Sequence, residues 1–169
     1  MPASDQGTLT GRYTLVPRVL IFVTHEDRLL LIRGAAHKRL WPNLYNGIGG
    51  HVERGEDVLS AGRRELLEET GLSADLRLCG VITIDVGPET GIGLYVLRGE
   101  HPQGELVASP EGSLHWVAQS DLAGLPLVED LQFLLPHILQ MQPGDPPFSA
   151  RTWYDVQDRL QIRIASPSK

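Results

Sequence analysis

One stretch of the sequence, residues 50–72, restricts the structure of this chain more than any other, and it reads GHVERGEDVLSAGRRELLEETGL. Its apolar residues recur at the spacing of an α-helix, so the stretch predicts a short amphipathic helix. At roughly 100° per residue, one face carries four apolar or small residues, Val58, Leu59, Gly62 and Leu66. We expect this face to pack on a β-sheet, with Gly62 allowing a close approach of the backbones.

The two ends of this predicted helix carry residues that suit helix termini. Glu56 and Asp57 lie at its start, where carboxylates interact favourably with the positive end of the helix dipole. Gly71 follows Thr70 and suits the left-handed conformation in which many helices end. The helix is therefore expected to end at Thr70.

Three glutamates, Glu65, Glu68 and Glu69, occupy a neighbouring arc of the same helix. Like charges at this spacing repel by roughly 0.2–0.5 kcal/mol per pair. One interpretation is a solvated charged face on which Arg64 pairs with Glu68. However, solvated faces usually alternate in sign, and no lysine or arginine follows Glu69 for the next five residues.

The segment NGIGGH, which is rich in glycine, leads directly into this helix. Carboxylates and a backbone carbonyl are oxygen ligands of the kind that Mg²⁺ prefers, and protein-bound Mg²⁺ is often shared with substrate phosphates. The clustered glutamates and the glycine loop therefore predict a site for a hard divalent cation.

The rest of the chain predicts strands and helices in a single domain over residues 1–169, of the α/β or α+β class. We expect a hairpin over residues 12–34 that turns at 25–27, two strands on either side of GPETG, and a short strand at SLHWVA. DLAGLPL and EDLQFLLPHILQM are expected to be helical, with Pro136 disturbing the second. A closing hairpin is expected to turn near residues 155–158.

Composition excludes several partners. The formal charge is −6, from 21 acidic and 15 basic residues, which disfavours a nucleic-acid polymer or an anionic membrane surface. The longest apolar runs, such as VLIFV, are too short to cross a bilayer. The one cysteine, Cys79, excludes an internal disulfide and indicates a reducing cytoplasm. A monomer and a homodimer are both compatible with the sequence.

Nine positions of this region match a known sequence motif. They are Gly50, Glu56, Arg64, Glu65, Leu66, Glu68, Glu69, Gly71 and Leu72, over 23 residues. The chain thus resembles the Nudix hydrolase family, and the order of the remaining elements extends the resemblance over most of the chain. The resemblance implies the Nudix fold, an α/β/α sandwich with a mixed β-sheet. It also implies metal-dependent hydrolysis of a nucleoside diphosphate linked to another group, X.

The resemblance assigns roles to residues of the motif. It implies that Mg²⁺, or Mn²⁺ in its place, is bound by the Gly50 carbonyl and by Glu65, Glu68 and Glu69. Arg64 is expected to orient one of these glutamates, and Glu56 to support the junction of loop and helix.

Two glutamates are candidates for the general base. Glu65 is one, and Glu111 in the segment SPEG is the other, because the loop before LHWV often holds a metal-facing glutamate in this family. The alternative interpretation is that Glu111 is an exposed residue of a turn and has no role in the reaction.

The segment LYNGIGGH most resembles the subgroup of oxidised purine nucleoside triphosphatases. Asn46 matches an asparagine that meets the base there, although Asn before Gly also suits a simple turn. Glu129 and Asp130 match an acidic pair that contacts the purine edge. The chain departs from the subgroup where a tryptophan stacks on the base, since Leu127 or Val128 stands there.

The substrate prediction is accordingly a (deoxy)nucleoside triphosphate, with an oxidised purine as one form, cleaved to the monophosphate and pyrophosphate. Arg33 is expected to contact the triphosphate oxygens. The alternative interpretation is that Arg33 lies at the end of a strand and only contributes to solubility. The other substrates in the family are a dinucleotide, ADP-ribose or a nucleotide sugar. Isomerisation of a prenyl diphosphate and non-catalytic nucleotide binding are the other functions, and the complete motif disfavours both.

Overall fold

The computed structural model describes residues 11–165. The first ten and last four residues of the predicted domain lie outside this range. The described part contains eight strands: β1 Thr14–His25, β2 Arg28–Gly34, β3 Tyr45–Asn46, β4 Leu72–Asp85, β5 Thr90–Gly104, β6 Gly112–Ala118, β7 Phe148–Tyr154 and β8 Leu160–Ile164. It also contains helices α1 Val58–Thr70 and α2 Leu131–Gln140, and a 3-10 helix at Gln119–Gly124.

The strands form one mixed sheet in the order β3-β2-β1-β5-β4-β7-β8, and β6 pairs with β2 along the whole length of β2. β1 runs parallel to β5, and β4 runs parallel to β7. The other neighbours, including β2 with β6, are antiparallel. The predicted mixed sheet is confirmed.

The two helices lie on opposite faces of the sheet, because alternate residues of a strand point to opposite faces. Val19, Ile21 and Val23 of β1 belong to a buried cluster that includes Leu66 of α1. Leu20 and Phe22 belong to a second cluster that includes four residues of α2, namely Leu131, Leu134, Leu135 and Ile138. This α/β/α arrangement confirms the predicted sandwich.

Helix α1 follows its local sequence signals. Asp57 is the N-cap, and its carboxylate accepts hydrogen bonds from the backbone N–H groups of Leu59 and Ser60. Gly71 ends the helix with φ of 76°, in the left-handed region. A Cβ on Gly62 would lie 2.3 Å from Cδ1 of Leu97 on β5, so the missing side chain lets α1 sit close to the sheet.

Helix α2 continues through Pro136, where we expected a disturbance. Proline at this position removes the hydrogen bond to the carbonyl of Gln132. Gln132 and Pro136 are both exposed, so water can satisfy that carbonyl, while Leu134 and Leu135 remain buried. At the other end, Arg98 donates to the carbonyls of Ile138, Leu139 and Met141.

Other elements differ from expectation mainly in extent. The helix expected over DLAGLPL is a 3-10 helix that ends at Gly124, and the chain is extended from Leu125. β5 continues to Gly104, beyond the predicted end of its strand. The loop before α1 contains the short strand β3, which pairs with the end of β2. The hairpins at residues 26–27 and 155–159 form as predicted. Within residues 11–165, neither helix has the length and apolar content that a membrane-spanning helix requires.

Candidate active site

The glycine pair Gly49 and Gly50 brings the loop before α1 against both β1 and α1. The N–H of Val19 donates to the Gly50 carbonyl at 2.9 Å. A Cβ on Gly49 would lie 2.1 Å from the Val19 carbonyl oxygen, and one on Gly50 would lie 2.2 Å from Oε1 of Glu65. No side chain fits at Gly49, where the obstacle is backbone, and a side chain at Gly50 would displace the carboxylate of Glu65. The Gly50 carbonyl keeps a second lone pair, since a carbonyl oxygen can accept twice.

Arg64 joins the loop to the helix through its guanidinium group. Its Nη2 lies 2.8 Å from Oε1 of Glu56 and 2.9 Å from the His51 carbonyl oxygen. Its Nη1 lies 2.8 Å from Oε1 of Glu65 and 3.3 Å from Oε2 of Glu68. Hydrogen bonding to Arg64 lowers the pKa of Glu56 below its usual range. Arg64 therefore contacts three of the motif's carboxylates, including the i+4 partner Glu68 predicted from the sequence.

Glu69 differs from Glu65 and Glu68 because, within the described residues, it forms no salt bridge. Its pKa is raised to about 7, first by burial and then by the negative charges of Glu65 and Glu111. Lys38 and a backbone hydrogen bond from Gly49 act in the opposite direction. The region around Glu69 thus has an excess of negative charge that a cation would relieve.

A cavity of about 120 Å³ lies beside Glu69. Its walls are Ile32, Gly34, Lys38, Leu40, Trp41, Leu44, Asn46, Gly47, Gly49, Glu69 and Glu111. Glu111 pairs with Lys38 at the rim. Glu111 therefore lies near Glu69, as the functional interpretation of the sequence requires.

The side chains present suit a hard divalent cation by their chemistry, since they offer carboxylate and carbonyl oxygens. Among residues 11–165, however, no three histidine, cysteine or acidic side chains already converge at metal-binding distance. Arg64 and Lys38 hold several of the carboxylates in ion pairs instead. The glutamates must exchange these partners to bind a metal.

The three residues expected to read the base fall into two places. Asn46 lines the cavity, and its side-chain oxygen accepts a hydrogen bond from the N–H of Gly47 at 2.8 Å. Glu129 and Asp130 precede α2 and lie beside Tyr154, outside the cavity lining. Burial raises the pKa of Asp130. The two places adjoin, because residues 126–128 pair with Tyr45 of β3.

Arg33 does not line the cavity. Its neighbour Ile32 does, and consecutive strand residues point to opposite faces. The guanidinium of Arg33 is exposed, donates to the Asn43 carbonyl at 3.4 Å and lies over the Tyr45 ring at 6.0 Å. The structure therefore places Arg33 on the face opposite to the glutamates of α1.

Lys38 and Trp41 line the cavity, although neither residue carries a functional signal in the sequence. Trp41 is 47% exposed. Both lie in a loop whose path depends on the pairing of β2 with β6. Local sequence patterns do not predict which strands pair.

A larger and more open depression of about 420 Å³ lies elsewhere, lined by Thr24, His25, Glu26, Glu100, His101, Pro102 and Gln103. It contains none of the motif's residues. We therefore take the cavity beside Glu69 as the candidate active site.

Comparison with known proteins gives the same family as the sequence motif. A family model described as the NUDIX domain matches residues 14–140. An oxidized purine nucleoside triphosphate hydrolase of Mus musculus is 31% identical over 123 residues, which are 72% of this chain and 78% of that protein. The NAD-capped RNA hydrolase NudC of Stutzerimonas stutzeri is 30% identical over 135 residues, which are 78% of this chain but 47% of that protein.

A solved structure supports the fold independently. The mutator MutT protein of Bacillus halodurans superposes with a TM-score of 0.76 at 24% sequence identity, covering 89% of this chain and 97% of that one. At this identity the likeness concerns the arrangement of strands and helices, which agrees with the sandwich described above.

Proposed function

The chain belongs to the NUDIX domain family and is a Nudix hydrolase, and from this premise we propose that it cleaves a (deoxy)nucleoside triphosphate to the monophosphate and pyrophosphate. The observation that carries the proposal is the set of carboxylates around Glu69. Glu65 and Glu111 lie close enough to raise its pKa, and the cavity opens beside it. This concentration of negative charge suits a cation that binds phosphate oxygens.

The proposed cation ligands are the carbonyl of Gly50 and the carboxylates of Glu65, Glu68 and Glu69. Bound Mg²⁺ or Mn²⁺ supplies neutralisation of the phosphate charge and a more acidic water. The oxygens of a diphosphate repel an attacking nucleophile, so phosphoryl transfer depends mainly on positioning and charge stabilisation. The close contact of the backbone at Gly49 and Gly50 with Val19 of β1 serves that positioning.

Arg64 and Glu56 act on the glutamates rather than on the substrate in this proposal. Arg64 holds Glu65 at 2.8 Å and Glu68 at 3.3 Å. Glu56 in turn holds Arg64 and accepts a hydrogen bond from the N–H of Glu53 at 2.7 Å. Such supporting contacts fix the orientation of ligands and tune their affinity.

Two residues can accept the proton of the attacking water, Glu65 and Glu111. Glu111 lines the cavity, whereas Glu65 contacts Arg64. Comparing the variants Glu65→Gln and Glu111→Gln shows which of the two residues is the general base. The base is the residue whose amide variant loses the acidic limb of the dependence of kcat on pH while still binding Mn²⁺.

Two observations support a nucleoside triphosphate as substrate. The mouse relative is named as an oxidized purine nucleoside triphosphate hydrolase, and Asn46 lies in the cavity. A second candidate is a nucleotide linked to another group through a diphosphate, because another relative is named as an NAD-capped RNA hydrolase. Leu127 or Val128 stands at the position expected for a stacking aromatic residue, and neither has an aromatic ring, which favours keeping this candidate.

A substrate panel tests the proposal. The full chain is incubated with the common (d)NTPs, 8-oxo-dGTP, ADP-ribose, NADH and a dinucleotide polyphosphate, with Mg²⁺, with Mn²⁺ or with excess EDTA. We expect pyrophosphate from a triphosphate and no turnover in EDTA. Activity that persists in EDTA, or turnover confined to the other nucleotides, overturns the proposal. We place the activity in the cytoplasm, in a monomer or a homodimer.

A further inference from the structure

Lys38 faces Glu111 because the backbone holds both residues at the same end of the β2–β6 pair. Gly34 pairs with Gly112 at the end of the two strands. The N–H of Ala35 then donates to the Glu111 carbonyl at 3.2 Å, and the N–H of Lys38 donates to the Ala35 carbonyl at 3.0 Å. The ion pair between Lys38 and Glu111 is thus part of a backbone-defined turn.

Lys38 is the cationic residue among those lining the cavity. Arg64 approaches the carboxylates from the helix side, where it contacts Glu56, Glu65 and Glu68. Lys38 pairs with Glu111 and lines the cavity together with Glu69, so its charge lies beside both carboxylates of the cavity wall. Its ammonium group therefore carries positive charge where a metal ion is expected to act.

We propose that Lys38 is an exchangeable counterion of the site. It neutralises Glu111 while no divalent cation is bound, leaves that carboxylate when the cation binds, and then binds a phosphate oxygen of the substrate. This inference rests on the proposed function.

The chemistry of lysine suits both parts of this role. An ammonium group at Glu111 and a divalent cation at Glu69, in the same cavity wall, repel each other, so each weakens the binding of the other. Lysine carries its charge on a flexible four-carbon stem with three donors, and it binds phosphate as a point charge. Its side chain is 34% exposed, which leaves it room to move.

The first arm of the test measures the affinity for Mn²⁺ alone, by calorimetry, in Lys38→Gln, Lys38→Arg and the wild type. Losing the competing charge should tighten Mn²⁺ binding about two- to fivefold, as expected for a partly exposed ion pair. Lys38→Arg should stay close to the wild type. Arg39→Gln is the matched control, because Arg39 is adjacent and exposed and forms no salt bridge within residues 11–165.

The second arm measures the affinity for a non-hydrolysable nucleoside triphosphate analogue at saturating Mn²⁺. Here Lys38→Gln should bind about 10-fold more weakly or worse, because it loses a charged hydrogen bond to phosphate. The two arms therefore move in opposite directions in one variant. Arg39→Gln should leave both affinities unchanged, which separates a local role of Lys38 from the net charge of the loop.

The inference is overturned if Lys38→Gln binds Mn²⁺ no more tightly than the wild type, if its affinity for the analogue is unchanged, or if Arg39→Gln shows equal shifts. Circular dichroism and the thermal midpoint confirm that each variant is folded. A wild type that binds no Mn²⁺ overturns the proposed function itself. A wild type that binds Mn²⁺ and hydrolyses nucleotides, beside an unshifted Lys38→Gln, overturns only the role of Lys38.

Discussion

Arg64 and Glu56 form a two-point ion pair across the junction between the glycine loop and α1. Nη2 of Arg64 lies 2.8 Å from Oε1 of Glu56, and Nε lies 3.2 Å from Oε2. Nη1 of the same guanidinium group lies 2.8 Å from Glu65. The orientation of Glu65 is therefore coupled to the loop through one planar cation, whose fork geometry a lysine cannot reproduce.

Arg64→Lys should lower kcat by about 10- to 100-fold, the range seen when a group that orients metal ligands is lost. The charge is retained, so the loss would come from geometry. Steady-state kinetics and Mn²⁺ affinity measure the effect, and Arg63→Lys, on an exposed neighbour, is the control. Equal kinetics in the two variants would show that catalysis does not depend on the planar geometry of the Arg64 guanidinium group.

Glu69→Gln should lower turnover by about 100-fold or more because a proposed metal ligand is lost. In EDTA, however, the variant should be more stable than the wild type. The pKa of Glu69 is raised from 4.5 to about 7 in the fold. A carboxyl with a raised folded pKa destabilises the fold at high pH, and this penalty disappears as the pH falls through 7 towards 4.5.

The stability gain of Glu69→Gln should therefore depend on pH. We expect about 1–3 kcal/mol at pH 8, after discounting for partial exposure, and less than about 1 kcal/mol at pH 5. Urea unfolding at both pH values measures it, with the exposed Glu53→Gln as control. A gain that is equal at both pH values would contradict the assigned origin of the pKa shift.

Asn46→Ala and Asp130→Ala should change the ratio of kcat/KM between purine and pyrimidine triphosphates. A polar group that loses its base partner costs about 1–3 kcal/mol, or about 5- to 150-fold. The metal requirement should not change. Asp121→Ala, an exposed acidic residue, is the control. If both variants keep the wild-type ratio, these residues do not read the base.

The same discrimination should depend on pH through Asp130. Burial raises the pKa of this carboxyl, so its protonated form, which can donate a hydrogen bond, persists to a higher pH than for an exposed aspartate. Selectivity that relies on this donor should fall as the pH rises through the raised pKa. Asp130→Asn, which always carries a donor, should give a selectivity that is flat across the same pH range.

Gly49→Ala should destabilise the protein by about 1–3 kcal/mol. Its Cβ would lie 2.1 Å from the backbone oxygen of Val19, which cannot rotate away as a side chain can. Gly124→Ala is the matched control, because a Cβ there meets nothing within 4 Å. Denaturant midpoints for the two variants measure the difference, and a stable Gly49→Ala would mean that the loop can move off β1.

Helix α1 was predictable because its signals are local. Asp57 caps it, Gly71 ends it and Gly62 marks its contact with the sheet, all within a few residues of the helix itself. Pro136 was harder to interpret, because its effect depends on the exposure of Gln132 one turn earlier. That exposure is set by how α2 lies on the sheet.

The pairs that complete the cavity could not be predicted in the same way. Lys38 and Glu111 are 73 positions apart in the sequence, and the register of β2 with β6, together with the turn that follows β2, brings them together. The direction of Arg33 depends on the pleat, since a shift of one residue would exchange its face with that of Ile32. Sequence periodicity predicts that side chains alternate between the two faces of a strand. It does not predict the register of that strand with strands that are distant in the sequence.

The pairing of β3 with residues 126–128 has a consequence for protein engineering. It consists of main-chain hydrogen bonds, from the N–H of Tyr45 to the Pro126 carbonyl at 2.9 Å and from the N–H of Val128 to the Tyr45 carbonyl at 3.0 Å. Main-chain bonds make few demands on side-chain identity. The segment from residue 126 to the start of α2 is therefore a natural crossover point for chimeras, in which the corresponding segment of a relative can be transplanted without redesigning α1.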